Sequence, residues 1–337
     1  MSPTSPRVAV LYNAPSLPLW HPHRSSESDV VEVADSVSNH LIRAGFEAWL
    51  QPASPPVLGL VSELSSTGPD LVFNLIEGFA GSSSGEPYVT GLLELLGLPY
   101  TGCPPEAQAL CRLKGLTKTL LRGAGLPTAP SALATAGPPF APPFDGPYFV
   151  KPDAEDGSLG IDQDSVLMDA SGLDVRVARI RREHGPGVLI EAYLPGREFN
   201  VGLLALPEPM ALPAAEVNHA AGPGRWPILT YDAKWDVGSA SDQASPVVCP
   251  APIASELADR LRDLAVLAFR ATRCRDYARV DFRLDGSGRP MILEVNPNPD
   301  IGPDAGWARA LSASGRDYGP TLVALANQAL ARGVRRG

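Results

Sequence analysis

Basic charge is in short supply. Lysine and arginine number 28 against 37 acids, giving a formal charge of -9 and a pI near 5.1, so a general affinity for nucleic acid or an anionic membrane is excluded by repulsion. Long apolar runs are missing as well. No stretch approaches the roughly 20 residues that span a bilayer, and Met1 to Pro18 carries no positive segment followed by an apolar one, so a cytoplasmic protein is expected. Cysteine is scarce: Cys103, Cys111, Cys249 and Cys274 form no C-x-x-C pair and no zinc-finger spacing with histidine, and they read as reduced, mostly buried thiols. No repeat of fixed period occurs, and no G-x-G-x-x-G follows the first apolar run, which argues against a dinucleotide-dependent oxidoreductase.

What is present suits a globular chain of two or three lobes. Its 337 residues are 44% hydrophobic and 19% charged, and 36 prolines cluster at 127–147 and 207–252, where they mark connections between lobes. The pattern predicts strands over Arg7–Tyr12, Glu47–Leu50 and Asp70–Leu75, with helices over Asp29–Ala44 and Tyr88–Leu96 that stop at Gly45 and Gly97. That alternation gives a doubly wound α/β lobe. One helix is expected over Pro104–Ala124, then a strand Tyr148–Lys151, a helix Leu173–His184 and a strand Val188–Tyr193. A core-facing helix over Ser255–Thr272 follows, with Ser255 as its N-cap.

The most informative segment comes next. Ala278–Leu284 and Pro290–Asn296 flank D-G-S-G, a hairpin signal, and folding the strands about Ser287 and Gly288 sets Asp281 nearly opposite Glu294. Alternation keeps Arg279 and Asn296 on the same face. Like charges across two strands repel, so this patch calls for a cation, and oxygen-only donors favour Mg or Mn over zinc. Beside such a metal, Arg279 is placed to hold a phosphate; the plainer alternative is an exposed hairpin face on which Asp281 pairs with Arg279 or Arg283.

Four runs together, A-R-V-D-F-R from Ala278, I-L-E-V-N-P-N-P from Ile292, F-V-K-P from Phe149 and L-T-K-T-L-L-R-G-A-G-L-P from Leu116, resemble the D-alanine-D-alanine ligase branch of the ATP-grasp superfamily. The resemblance runs from about Asp70 through the hairpin, with L-L-G-L-P-Y-T-G from Leu95 closing the first lobe; residues before Asp70 match loosely. It implies an α/β (α+β) chain of the ATP-grasp fold: an N-terminal α/β lobe (1–103), a central lobe (104–190) and a C-terminal lobe with the metal site (191–337), the last two clasping ATP.

By the same resemblance, Lys114 and Lys151 reach the phosphates and the adenine pocket, while Lys118 reads as a solvated neighbour one turn on. Gly157, Ser158 and Gly160, in D-A-E-D-G-S-L-G from Asp153, form the phosphate-covering loop; Glu191 meets the adenine amino group and Glu198 the ribose hydroxyls. Lys234, in L-T-Y-D-A-K-W from Leu229, lies near the phosphates on an active-site loop. Asp281, Glu294 and Asn296 hold Mg or Mn; Arg279, Lys234 and Ser158 are the catalytic candidates.

The implied reaction is ATP-dependent joining of a carboxylate to an amine through an acyl-phosphate, with amino acids as the small-molecule partners. A homodimer is the oligomer common in such ligases. Several positions depart from the peptidoglycan enzymes: Trp235 and Gly157 replace a tyrosine and a serine that bond an N-terminal glutamate, here assigned to Glu27. Glu77 replaces a histidine, Ala305 aligns with a substrate-binding serine, and D-I-G-P-D-A-G from Asp300 replaces a Gly-Phe-Thr run. These changes point to a substrate pair other than two D-alanines. Two readings stay open beside that one: the D-alanine-D-alanine ligase itself, and an ATP-binding module without chemistry.

Overall fold

The computed structural model describes residues 5–15, 24–135, 137–155, 157–219, 224–230 and 246–333, with side chains in the first helix from residue 29. The first lobe is a parallel three-stranded sheet in the order β2-β1-β3, built from β1 (Arg7–Asn13), β2 (Glu47–Ala53) and β3 (Leu71–Leu75). Strand alternation divides β1 between two cores. Val8, Val10 and Tyr12 face helix α1 (Arg24–Arg43), whereas Ala9 and Leu11 face α2 (Val57–Thr67) and α3 (Glu86–Leu95), so helices cover both faces as a doubly wound lobe requires. Helix α2, which the sequence pattern did not predict, follows Pro56 as its N-cap residue and stops at Gly68 in the left-handed conformation.

The long helix expected over 104–124 is two helices, α4 (Pro105–Arg112) and α5 (Lys114–Gly123), broken at Leu113 with φ -90° and ψ 90°. Asp153 makes the break: its carbonyl accepts the Lys114 amide at 3.0 Å and its carboxylate accepts the Gly115 amide at 2.7 Å. The start of α5 is thereby tied to the end of β5 (Tyr148–Pro152).

That strand belongs to an antiparallel sheet with β4 (Ser131–Leu133), β6 (Val166–Leu167) and β7 (Val188–Ala192), backed by α6 (Leu173–His184). A six-stranded sheet follows. It runs β11 (Val247–Val248), β10 (Ala215–Val217), β8 (Glu198–Ala205), β12 (Tyr277–Leu284), β13 (Pro290–Asn296), with β9 (Pro209–Ala211) also paired to β8. Helix α7 (Ser255–Ala271) buries Leu261, Leu264, Ala265 and Ala268 against it. Its N-cap is Ala254, without a side-chain cap bond, rather than the Ser255 expected.

The final helices, α8 (Gly306–Ala313) and α9 (Tyr318–Arg332), return to the first lobe, where Leu322, Leu325, Ala326 and Ala329 join the core of β1 and α1. Asp276, at φ 61° before β12, ties this arrangement together: both its oxygens take Arg332 at 2.8 and 3.0 Å, and Oδ2 accepts the Gly102 amide at 2.9 Å. Cys103, Cys111 and Cys274 are buried, Cys249 is half-buried, and all four are free thiols, as expected. Among the described residues no helix is long and apolar enough to cross a membrane.

Candidate active site

A cleft of about 690 Å³ opens between the β5–β7 sheet and the β8–β12–β13 sheet, with Glu77, Ser83 and Glu86 of the first lobe and Gln108 of α4 along its side. The predicted residues Lys114, Lys151, Glu191 and Glu198 line it, as do Gly157 and Ser158. So do Arg279, Asp281, Glu294 and Asn296. Lys234, with Tyr231 and Trp235, lies outside the described residues, as does the side chain of Glu27.

One wall is the hairpin. Register sets Gly202, Arg279 and Asn296 in one cross-strand row and Asn200, Asp281 and Glu294 in the next. A bulge between Asp281 and Phe282 lets Glu294 and Leu293 face the cleft while Ile292 enters the core. Arg279 grips Asp281 with two 2.7 Å bonds, and Asn200 donates to the same carboxylate at 2.7 Å. Burial pushes the Asp281 carboxyl up; Arg279 opposes this, but Glu294 and Glu198 add to it, and the net direction is upward. Asn200 was not singled out in the sequence, although it stands two residues beyond Glu198 on one strand face.

The opposite wall is cationic. Lys114 sits 3.4 Å from Glu294 and donates to the Glu155 carbonyl at 2.6 Å. Lys151 meets Glu191 Oε2 at 2.9 Å, and the other oxygen is taken by Lys118 at 2.6 Å. Lys118 is not the solvated residue expected: it is 1% exposed and also donates to Thr128 and the Ile292 carbonyl. Helix α5 turns its polar side inward, burying Lys114, Thr117 and Lys118 while Leu116 is 49% exposed, so hydrophobic periodicity misreads it. Burial works to raise the Glu191 carboxyl, but the ammoniums of Lys118 and Lys151 outweigh it and hold Glu191 below its usual range.

Glu198 is buried between His219 Nε2 at 3.0 Å and Arg283 Nη1 at 3.6 Å. Burial would raise this carboxyl too, and His219 with Arg283 keeps it low. Arg283 is fixed by the Gly196 and Pro227 carbonyls and does not pair with Asp281. No local signal marked His219, which reaches the site from beyond β10.

The glycine loop has the backbone a phosphate cradle needs. Gly157, Ser158 and Gly160 all have left-handed φ, at 65, 63 and 74°. A Cβ on Gly160 would lie 2.7 Å from Pro152, so that position also requires close approach. Arg176 of α6 braces the far end, donating to the Gly160 carbonyl at 2.7 Å and pairing with Asp162 at 3.0 Å.

Among the described residues no three His, Cys, Asp or Glu side chains form a metal-sized cluster. The donor set is instead two carboxylates and an amide oxygen: Asp281, Glu294 and Asn296, whose Oδ1 accepts one backbone bond from Asn298 at 2.9 Å and keeps a second lone pair. Such a set fits a hard cation that completes its shell with water and phosphate oxygens. It would offset the burial and the repulsion that together raise Asp281.

Comparison with known proteins agrees with this geometry. The family model described as D-ala D-ala ligase C-terminus matches residues 142–326. The chain is 36% identical over 290 residues to a D-alanine--D-alanine ligase of Mycobacterium bovis, covering 83% of this chain and 73% of that one. It is 35% identical over 291 residues to the uncharacterized protein y4sG of Sinorhizobium fredii, covering 85% and 84%. The crystal structure of a D-alanine--D-alanine ligase from Bacillus anthracis complexed with ATP superposes with a TM-score of 0.74 at 20% identity, over 97% of this chain and 98% of that one, a likeness of fold. The chain therefore belongs to the D-alanine-D-alanine ligase-like family of ATP-grasp enzymes.

Proposed function

We propose that the protein joins a carboxylate to an amine at the expense of ATP, on an amino-acid pair other than two D-alanines. The observation that carries the reaction class is the opposition of two walls across one cleft: Lys114 and Lys151 on one, the Asp281–Glu294 row on the other. A triphosphate brings about four negative charges, and neither wall alone suits it. A divalent cation held by Asp281, Glu294 and Asn296 supplies the missing charge neutralisation.

In this reading Lys114 and Lys151 hold phosphate oxygens, the amides around Gly157 and Ser158 cover them, and Glu191 and Glu198 select the base and ribose. A substrate carboxylate oxygen attacks the γ-phosphorus and ADP leaves; the amine then attacks the acyl carbon, phosphate leaves and the nitrogen loses a proton. Arg279 stabilises the developing oxyanion, and no side-chain nucleophile is needed. Closure of the loop over the phosphates excludes water from the acyl-phosphate.

The substrate assignment is supported by the acceptor end of the cleft, lined by Glu77, Asp300 and Ala305 where the peptidoglycan enzymes have histidine and serine. An acidic end suits a substrate with a cationic group. The D-alanine-D-alanine ligase is the second reading, favoured by the names of the relatives. Phosphate release over a panel of D- and L-amino acids, with product masses, separates the two. Turnover with D-alanine alone at a rate no other pair exceeds would refute the first.

A further inference from the structure

Lys118 does not line the cleft and its ammonium is held inside the protein: it pairs with Glu191 Oε1 at 2.6 Å and donates to Thr128 Oγ1 at 3.0 Å and the Ile292 carbonyl at 3.2 Å. Its charge therefore faces Glu191 and not the cleft. Lys151 holds the other oxygen of the same carboxylate from the cleft surface, lying also over the Phe149 ring. Two lysines thus share one acid, and the group carries a net charge of +1. Glu191 is 2% exposed, so it cannot stand there alone as a charge.

A nucleotide changes the balance. Its phosphates draw on Lys151, and every donor they take is one Glu191 loses. We propose that Lys118 is the resident counter-ion of Glu191, holding the carboxylate charged and oriented by itself so that Lys151 can leave it for the phosphates. Lys118 is then a positioning residue that acts on the nucleotide only through Glu191. The inference rests on the reading above, in which Lys151 meets phosphate and Glu191 meets the base. The charged groups bearing on this pair are Lys118 from α5, Lys151 from β5 and Glu294 from β13. Burial lowers the Lys118 ammonium, Glu191 raises it and Lys151 lowers it again, so departure of Lys151 secures the charge on Lys118.

Calorimetric titration of Mg-ATP in buffers of different ionisation enthalpy counts the protons taken up on binding. In Lys118→Met, ATP should bind at least about a hundredfold more weakly near neutral pH, with uptake of about one proton more than wild type, because the deserted Glu191 protonates. Adenosine has no phosphate to draw Lys151 away and should lose no more than a few fold. Adding Glu191→Gln to Lys118→Met should abolish the extra proton. Lys151→Met should stay folded, since Lys118 still neutralises Glu191.

Wild-type ATP affinity in Lys118→Met, a loss without the extra proton, or an equal loss for adenosine overturns the proposal. Should Lys118→Met not fold, the fold of Lys151→Met decides: its unfolding overturns the proposal equally, because Lys118 would then not suffice to hold Glu191. A wild-type protein that takes up no Mg-ATP refutes the ligase reading instead.

Discussion

The two walls of the cleft handle buried charge in opposite ways. Around Glu191, two ammoniums pair with the two carboxylate oxygens and the acid is held below its usual range, so its charge is balanced before a ligand arrives. Around Asp281, a single arginine and an amide face a buried acid, and burial, with repulsion from Glu294 and Glu198 added, pushes it up. One wall has its buried charge balanced by the protein's own lysines. The other is left short of positive charge at the place where a metal-bound phosphate would supply it, so stability and activity should separate between them.

The largest effect should fall on activity at the hairpin. Asp281→Asn or Glu294→Gln should lower amine-dependent ATP turnover by about a thousandfold. In metal-free protein the same changes should cost less unfolding free energy than Glu191→Gln, because each removes the Asp281–Glu294 repulsion together with an ion pair. A coupled ADP-release assay and urea melts in chelator check the pair of outcomes, and a collapse in metal-free stability would break the comparison.

Glu191→Gln should do the reverse. It strands Lys118 and Lys151 in a buried site and should cost about 3 kcal/mol of unfolding free energy near neutral pH. The sign with pH follows from the lowered carboxyl. Between its ordinary value of 4.5 and its folded one, the unfolded chain binds more protons, so the stability from Glu191 is complete above that ordinary value and is lost as pH falls through the folded one. Urea midpoints measured against pH should therefore decline on the acid side in wild type and flatten in Glu191→Gln. Parallel slopes would show that Glu191 is not paired as described.

The same contrast explains what could be read beforehand. The hairpin was legible because turn chemistry and alternation are local, yet its agreement in register hides two offsets. Asp285 bonds Arg289, which centres the turn nearer Ser287 than the expected Ser287–Gly288 pair, and the bulge after Asp281 restores Asp281 to Glu294. The family motifs placed Lys114, Lys151, Glu191 and Glu198 on the cleft for the same reason: each sits on a strand end or helix start that neighbouring residues define. Lys118 was misread because a helix that buries its lysines and exposes Leu116 and Leu120 reverses the usual periodicity. Asn200 and His219 meet the site through pairing of β8 with β12 and β10, contacts of long sequence separation that carry no local mark.

An intermediate effect should come from the brace of the glycine loop. Arg176 is buried and joins the Gly160 carbonyl, Asp162 and Ser165 Oγ, so Arg176→Met leaves several acceptors unmet beside the loop that would cover phosphate. Turnover should fall by about tenfold, expressed mainly as a higher KM for ATP. An unchanged KM would mean that the loop keeps its shape without α6.

The smallest effect should lie one turn further along the same helix. Arg179 reaches the same Asp162, at 3.2 Å, and also Asp164 and Glu183, and these neighbours raise its guanidinium, Asp162 most. Its side chain is 43% exposed, however, so water and salt screen all three attractions and each costs side-chain freedom. Arg179→Ala should leave melting temperature, KM and kcat as they are, whereas Arg176→Met changes them. Both arginines hold one acid, but only the buried Arg176 also holds the Gly160 carbonyl and Ser165; matching losses in the two variants would show that Asp162, rather than the buried carbonyl of Gly160, is what the loop depends on.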